Sequence, residues 1–303
     1  MSNEHPGINP ASSATPLYLA CVGLRDAWTA LRADEAHDPK APYSEAFKGS
    51  AAREHIWDAA QLAAVFAVDS VLDHLRALSL SYEPAARAQK DWPAEMWPGV
   101  ANYTAGRAVL EGCALAGWFF NPAVDAEERL RRGTRILLWS LSEELKSPNP
   151  PSKEGLNFWR SKIEECDMRV RNSGRRWGIE IDGVARYYSH QAAIDDLVPT
   201  VGREIYHEWS GLAHYIAWAF SDWGSIRVDD EKPGLRFAFR NHEDRHFILI
   251  DNVAAVVTLA GTRFAQYFGR SANGLLATYE HLHAHLQSER PHVENALREK
   301  FGV

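Results

Sequence analysis

Apolar residues recur at helical spacing along most of this chain, in segments separated by proline- and glycine-bearing breaks. A first helix is predicted over 17–33, before a polar connection containing Pro39 and Pro42. The longest helical stretch covers 44–80. Its middle, 59–72, is apolar nearly all round, as expected of a helix buried on more than one side. A long loop with Trp92-Pro93 and Trp97-Pro98 is predicted over 82–99. Helices follow over 102–120, stopped by Asn121-Pro122, and over 125–146, stopped by Ser147-Pro148-Asn149-Pro150-Pro151. The next covers 152–172, with Ser152 as its N-cap.

The pattern then weakens. Residues 174–188 read as irregular, with a short strand at Ile179-Glu180-Ile181 before Asp182-Gly183. A helical segment over 195–223 is expected to bend near Pro199. Residues 225–239 alternate around Lys232-Pro233-Gly234, the signature of a small β-hairpin. Closing helices are predicted over 243–268, 272–287 and 291–301. The pattern implies an all-α, multi-helix bundle of seven to nine helices. It would form one domain, 17–303, behind a flexible tail, 1–16. If there are two domains, the boundary falls at 147–151.

Composition narrows the functional classes. The 303 residues include 33 Lys and Arg against 40 Asp and Glu, a net charge of −7, so no global basic footprint for nucleic-acid phosphates is present. The apolar stretches 59–72 and 253–268 are interrupted by Asp69 and Arg263, short of the roughly 18 uninterrupted apolar residues a membrane span needs. The opening residues carry no basic and apolar leader pattern. Cys21, Cys113 and Cys166 are isolated, which suits a reducing cytoplasm. No G-x-G-x-x-G, P-loop, G-x-S-x-G or H-E-x-x-H motif occurs.

Several constellations could carry chemistry. On the long helix, Ile56, Ala60, Ala63, Ala67, His74 and Leu78 share a narrow face, with Asp69 and Asp73 on another side. Arg107 and Glu111, one turn apart, share a face, and Glu111 falls in an inward stripe where a carboxylate needs a cation. Between 203 and 214, Arg203, His207, Ser210 and His214 form a polar stripe opposite Ile205, Trp209, Leu212 and Ile216, and Trp218 continues it. Glu204 and His207 have the ExxH spacing of di-iron carboxylate bundles, so Glu111, Glu204 and His207 form a candidate set for iron, manganese or zinc. The bland alternatives are hydrogen-bonded structural groups and ion pairs.

Two resemblances extend this reading. The segment Arg240-Asn241-His242-Glu243-Asp244-Arg245-His246 resembles the Arg-spacer-His motif of HEPN ribonucleases, helical bundles in which Arg and His cut RNA, usually across a dimer. Three further segments are similar to an uncharacterised, mainly actinobacterial, all-helical family. They are Val71-Leu72-Asp73-His74-Leu75, the run from Gly106 through Trp118 to Arg132, and Tyr206-x-x-x-Ser210-Gly211-x-Ala213-His214 with Trp218. That resemblance implies one fold over about 44–270 and convergence of Asp73, His74, Arg107, Glu111, Ser210 and His214, with no activity attached. Three functions stay open. One is a small-molecule or metal-binding bundle, enzymatic or not, with Asp69 and His207 as further members of its pocket. The others are a non-catalytic interaction or scaffold protein, and a HEPN-like ribonuclease of toxin or defence type. A small-molecule ligand and a homodimer are the expected partners.

Overall fold

The structure is a computed structural model. It describes residues 9, 12–34, 38–45, 49–88, 100–174, 176–214, 224–228, 235–239 and 243–301. Ten helices occur among them. They are α1 (Thr15–Ala33), α2 (Pro42–Glu45), α3 (Ala51–Arg87), α4 (Val100–Phe119) and α5 (Ala126–Glu144). After these come α6 (Lys153–Glu164), α7 (His190–Leu197), α8 (Gly202–Ala213), α9 (Glu243–Phe268) and α10 (Asn273–Phe301). Strands β1 (Arg169–Ser173), β2 (Arg176–Ile181) and β3 (Val184–Arg186) form an antiparallel sheet between α6 and α7. Strands β4 (Gly224–Val228) and β5 (Leu235–Phe239) form the hairpin expected from the alternating pattern. The protein is an all-α bundle with small β additions.

Side-chain oxygens start several helices where the sequence places them. Asp125 accepts the backbone N–H of Glu128 at 2.7 Å, and Ser152 accepts that of Gly155 at 3.0 Å. The predicted helix over 152–172 instead ends at Glu164. Asp167 turns left-handed, with φ 58°, and Met168 N–H returns to the Ile163 carbonyl at 3.2 Å, a Schellman closure that releases the chain into β1. Asp182 and Gly183, both at positive φ, make the tight turn between β2 and β3. Two prolines do not act as stops: α3 continues through Pro84, and α10 runs unbroken past Pro291. The last carbonyls of α3 are capped from outside the helix, since Asn9 donates to Ala88 at 2.6 Å and Ser12 to Ala85 at 2.8 Å. Within the expected tail, residues 9 and 12–16 are therefore tied down.

Helix α3 is the spine, packed against α1, α4 and α5. Two glycines let its neighbours approach closely. A Cβ at Gly112 would lie 2.8 Å from Val71 Cγ2, and one at Gly133 would lie 2.7 Å from the Ala60 Cβ. The buried stripe of α3 includes Ile56, Ala60, Ala64, Val68, Val71, Leu75 and Leu78, but Leu62 and Phe66 are exposed. The all-round burial expected over 59–72 does not occur. The segment Arg245–Phe268 is long and apolar enough to cross a membrane by length and composition, yet 61% of its apolar window is buried inside the bundle. Packing of β2 on α5, and of α6 on α3, ties together the two sides of 147–151.

Three arginines meet the C-terminal end of α4. Arg129, 1% exposed, donates to the carbonyls of Phe119, Asn121 and Val124 at 3.2, 2.7 and 3.0 Å. Its guanidinium also lies 5.3 Å from the Tyr267 ring and 5.9 Å from the Trp57 ring. Arg132 donates to Trp118 O at 2.9 Å and Arg263 to Gly117 O at 3.1 Å, while Asp196 of α7 accepts from both. A helix C-terminus carries partial negative charge and unsatisfied carbonyls, so this is where buried cations are best placed. Replacing Arg129 with Met should leave several carbonyls without a donor and destabilise the fold by on the order of 3 kcal/mol. Urea denaturation of both proteins would measure the loss.

Candidate functional site

The α4 spacing that joins Arg107 to Glu111 is realised as an ion pair, Nε to Oε1 at 2.9 Å, with both side chains about one-fifth to one-quarter exposed. Helix α8 packs beside α4. Its buried positions Ile205, Trp209 and Leu212 are those of the apolar face expected from the sequence. On its other side, Tyr206, Ser210 and His214 follow one another at single-turn intervals. Arg107 Nη1 lies 2.8 Å from His214 Nε2, and its Nη2 lies 3.5 Å from the Tyr206 hydroxyl. The guanidinium carbon sits 5.4 Å from the Tyr206 ring centroid. A guanidinium has only donors, so His214 Nε2 must accept.

The start of α7 comes near enough for Glu111 and Arg107 to act on it electrostatically. Ser189 caps the helix by accepting Ala192 N–H at 3.0 Å, which sets Tyr188 and His190 on either side of the cap. The Tyr188 hydroxyl lies 3.1 Å from His190 Nδ1. Tyr188 also packs between Trp118 of α4 and Trp139 of α5, at 5.4 and 5.0 Å between ring centroids. Burial drives the His190 imidazole below its ordinary value. Glu111 and Glu143 oppose that shift and Arg107 adds to it. Burial raises the Tyr188 and Tyr206 phenols, with Glu111 as the next cause for each. Arg132 and Arg135 stack on Trp118, at 5.1 and 4.6 Å from its ring. Burial lowers the pKa of Arg135, while Glu128 supports its charge.

No family model, curated protein or solved structure matches this chain. The geometry alone therefore sorts the candidate residues. It brings Arg107, Glu111 and His214 together, with Ser210 half-buried on the same side of α8. Asp73 is exposed, His74 is bonded through Nδ1 to its own Ser70 carbonyl at 2.7 Å, and Asp69 is paired with Arg32. None of these three has a described contact with the cluster. Arg203 pairs with Asp195 rather than with the stripe. Trp218, which continues the stripe, and Ile216 of the opposite apolar face lie outside the described residues.

The metal set needs correction. Among the described residues, no three His, Cys, Asp or Glu side chains are grouped to hold an ion. Glu204 and His207 are exposed, and the charge of Glu111 is already matched by Arg107. An i,i+3 spacing supplies neighbours on one helix, but a metal site also needs ligands converging from others. Two members of the cluster escaped the sequence reading, Tyr188 and His190. They lie at a strand-to-helix junction with no periodic pattern, and the one local signal was a Tyr and a His flanking Ser189.

Of the ribonuclease-like pair, Arg240 lies outside the described residues. His246 is fully buried, with Nδ1 2.9 Å from the Tyr82 hydroxyl. The imidazole is therefore enclosed by the bundle and not at the surface where the HEPN-like expectation would use it. Burial holds its pKa near 4, against 6.5 when exposed. Between those values the unfolded chain binds a proton that the folded chain does not, so stability falls as pH drops through that window. The shift corresponds to on the order of 3 kcal/mol. His246→Asn keeps a polar side chain beside Tyr82 but does not titrate. Urea denaturation at pH 7 and pH 4.5 should show a smaller acid-side loss for that variant than for the parent protein.

Proposed function

We propose that the cluster of α4, α7 and α8 binds a small organic anion, with Arg107 as the clamp and His190 as a proton acceptor. The observation that carries this reading is the shared guanidinium. Arg107 is held by Glu111 through Nε, while its outer nitrogens reach His214 and Tyr206. A planar fork fixed at its inner edge suits a carboxylate or phosphate at its outer edge. An incoming anion would take over the contacts of Nη1 and Nη2, and would release His214 and Tyr206 to bond the ligand.

The surroundings favour a ligand with a planar apolar body. Tyr206, half-buried beside the guanidinium, and Trp139, packed on the buried Tyr188, supply aromatic surface near the charged groups. Burial favours the neutral form of the His190 imidazole, the form that can accept a proton from a bound hydroxyl or acid. Tyr188, beside its Nδ1, orients the ring. The kinship suggested by the segments around Arg107 and Tyr206 belongs to the same proposal, since those segments supply Arg107, Glu111, Tyr206, Ser210 and His214.

Thermal unfolding of the untagged protein with millimolar benzoate, 4-hydroxybenzoate or inorganic phosphate tests the reading. An aromatic carboxylate should raise the Tm more than phosphate does, and Arg107→Met should abolish the effect. No stabilisation by any of the three, or an equal response from Arg107→Met, would count against the site.

A further inference from the structure

Helix α3 carries a line of exposed positions on the side away from the core, running from Ala51 to Ala77. At its centre are two large apolar side chains one turn apart, Leu62 at 53% and Phe66 at 61% exposure. Burying apolar side chains of this size is strongly favourable, so two neighbours left in water on a central helix call for a partner.

The order of residues along the line identifies that partner. Successive members stand 4, 3, 4, 4, 4, 3 and 4 residues apart, the same sequence of spacings from either end. The line is therefore symmetric about the level of Ala64. We infer that α3 pairs with α3 of a second copy, antiparallel, about a two-fold axis at that level. Leu62 then faces the partner's Phe66. His55 faces the partner's Asp73, Asp58 faces the partner's Ser70, and Ala51 faces the partner's Ala77. Each contact occurs twice, as a two-fold interface requires. On the adjoining row, exposed Glu54 meets the partner's half-buried His74.

The chemistry of these pairs selects the register. In this arrangement apolar meets apolar, carboxylate meets imidazole or hydroxyl, and small meets small. A slip of one turn sets Leu62 against Ser70, or Asp58 against Phe66, which buries a polar group without a match. The interface also widens at each end. Phe158 of α6 is 43% exposed and stands 5.9 Å from the His55 ring, where the partner's Asp73 end of α3 arrives. A second copy, rather than an unrelated basic protein, fits a line whose acidic members find their own complements within the same line.

Sedimentation equilibrium on the untagged full chain tests the pairing. The expected mass is twice the 34.0 kDa of one chain. Phe66→Asp changes an exposed side chain, so it should keep the parent circular dichroism spectrum and sediment as one chain. His55→Asp and Asp73→His should each weaken association about tenfold, and the two together should restore it. A parent protein that stays at 34.0 kDa overturns the inference, as does a Phe66→Asp variant that dimerises like the parent. A charge-reversed pair that fails to recover association overturns it too.

Discussion

The C-terminal end of α4 is where this fold is fastened. Arginines from α5 and α9 place guanidinium groups on the carbonyls of Gly117, Trp118, Phe119 and Asn121, and Asp196 of α7 balances two of them. Buried cations are costly unless hydrogen-bonded and electrically matched. The negative end of a helix supplies both conditions at once. Because Arg129 also lies over the rings of Trp57 and Tyr267, the same group locks α4 to the spine helix α3 and to α9. Four helices thus take their mutual placement from one helix terminus.

That fastening has a consequence two turns back along α4. Arg107 and Glu111 sit on the same rigid helix, and α7, held through Asp196, carries Tyr188 and His190 toward them. The electrostatic influence of Glu111 on Tyr188, Tyr206 and His190 follows from this placement. This charge pair sits on a fixed helix beside aromatic rings, so its geometry is set by the fold. The proposed clamp and the fastening use different arginines, so a ligand at Arg107 would not disturb the carbonyl contacts of Arg129.

Helix α3 divides its surface between two tasks. One side, with Ala60 and Ala64 beside glycines 112 and 133 of its neighbours, brings backbones close and builds the core. The other side retains Leu62 and Phe66 in water within a self-complementary line. The same apolar run, 59–72, supplies both.

Much of the fold was legible in the chain. Asp125, Ser152, Asn121-Pro122 and the alternating hairpin strands act through their nearest neighbours, and local signals of that kind survive folding unchanged. The pairing of Arg107 with Glu111 is legible for the same reason, since one helical turn sets it. Other features depend on contacts distant in sequence. Helix α3 passes Pro84, and Asn9 and Ser12 arrive from far along the chain to cap its end. His246 looks like part of a charged, exposed motif, yet the packing of α9 buries it against Tyr82. Which of the many polar residues meet Arg107 was decided by the docking of α7 and α8. A sequence specifies the period and face of each helix, whereas the residue across an interface depends on how side chains from several elements fill the same space.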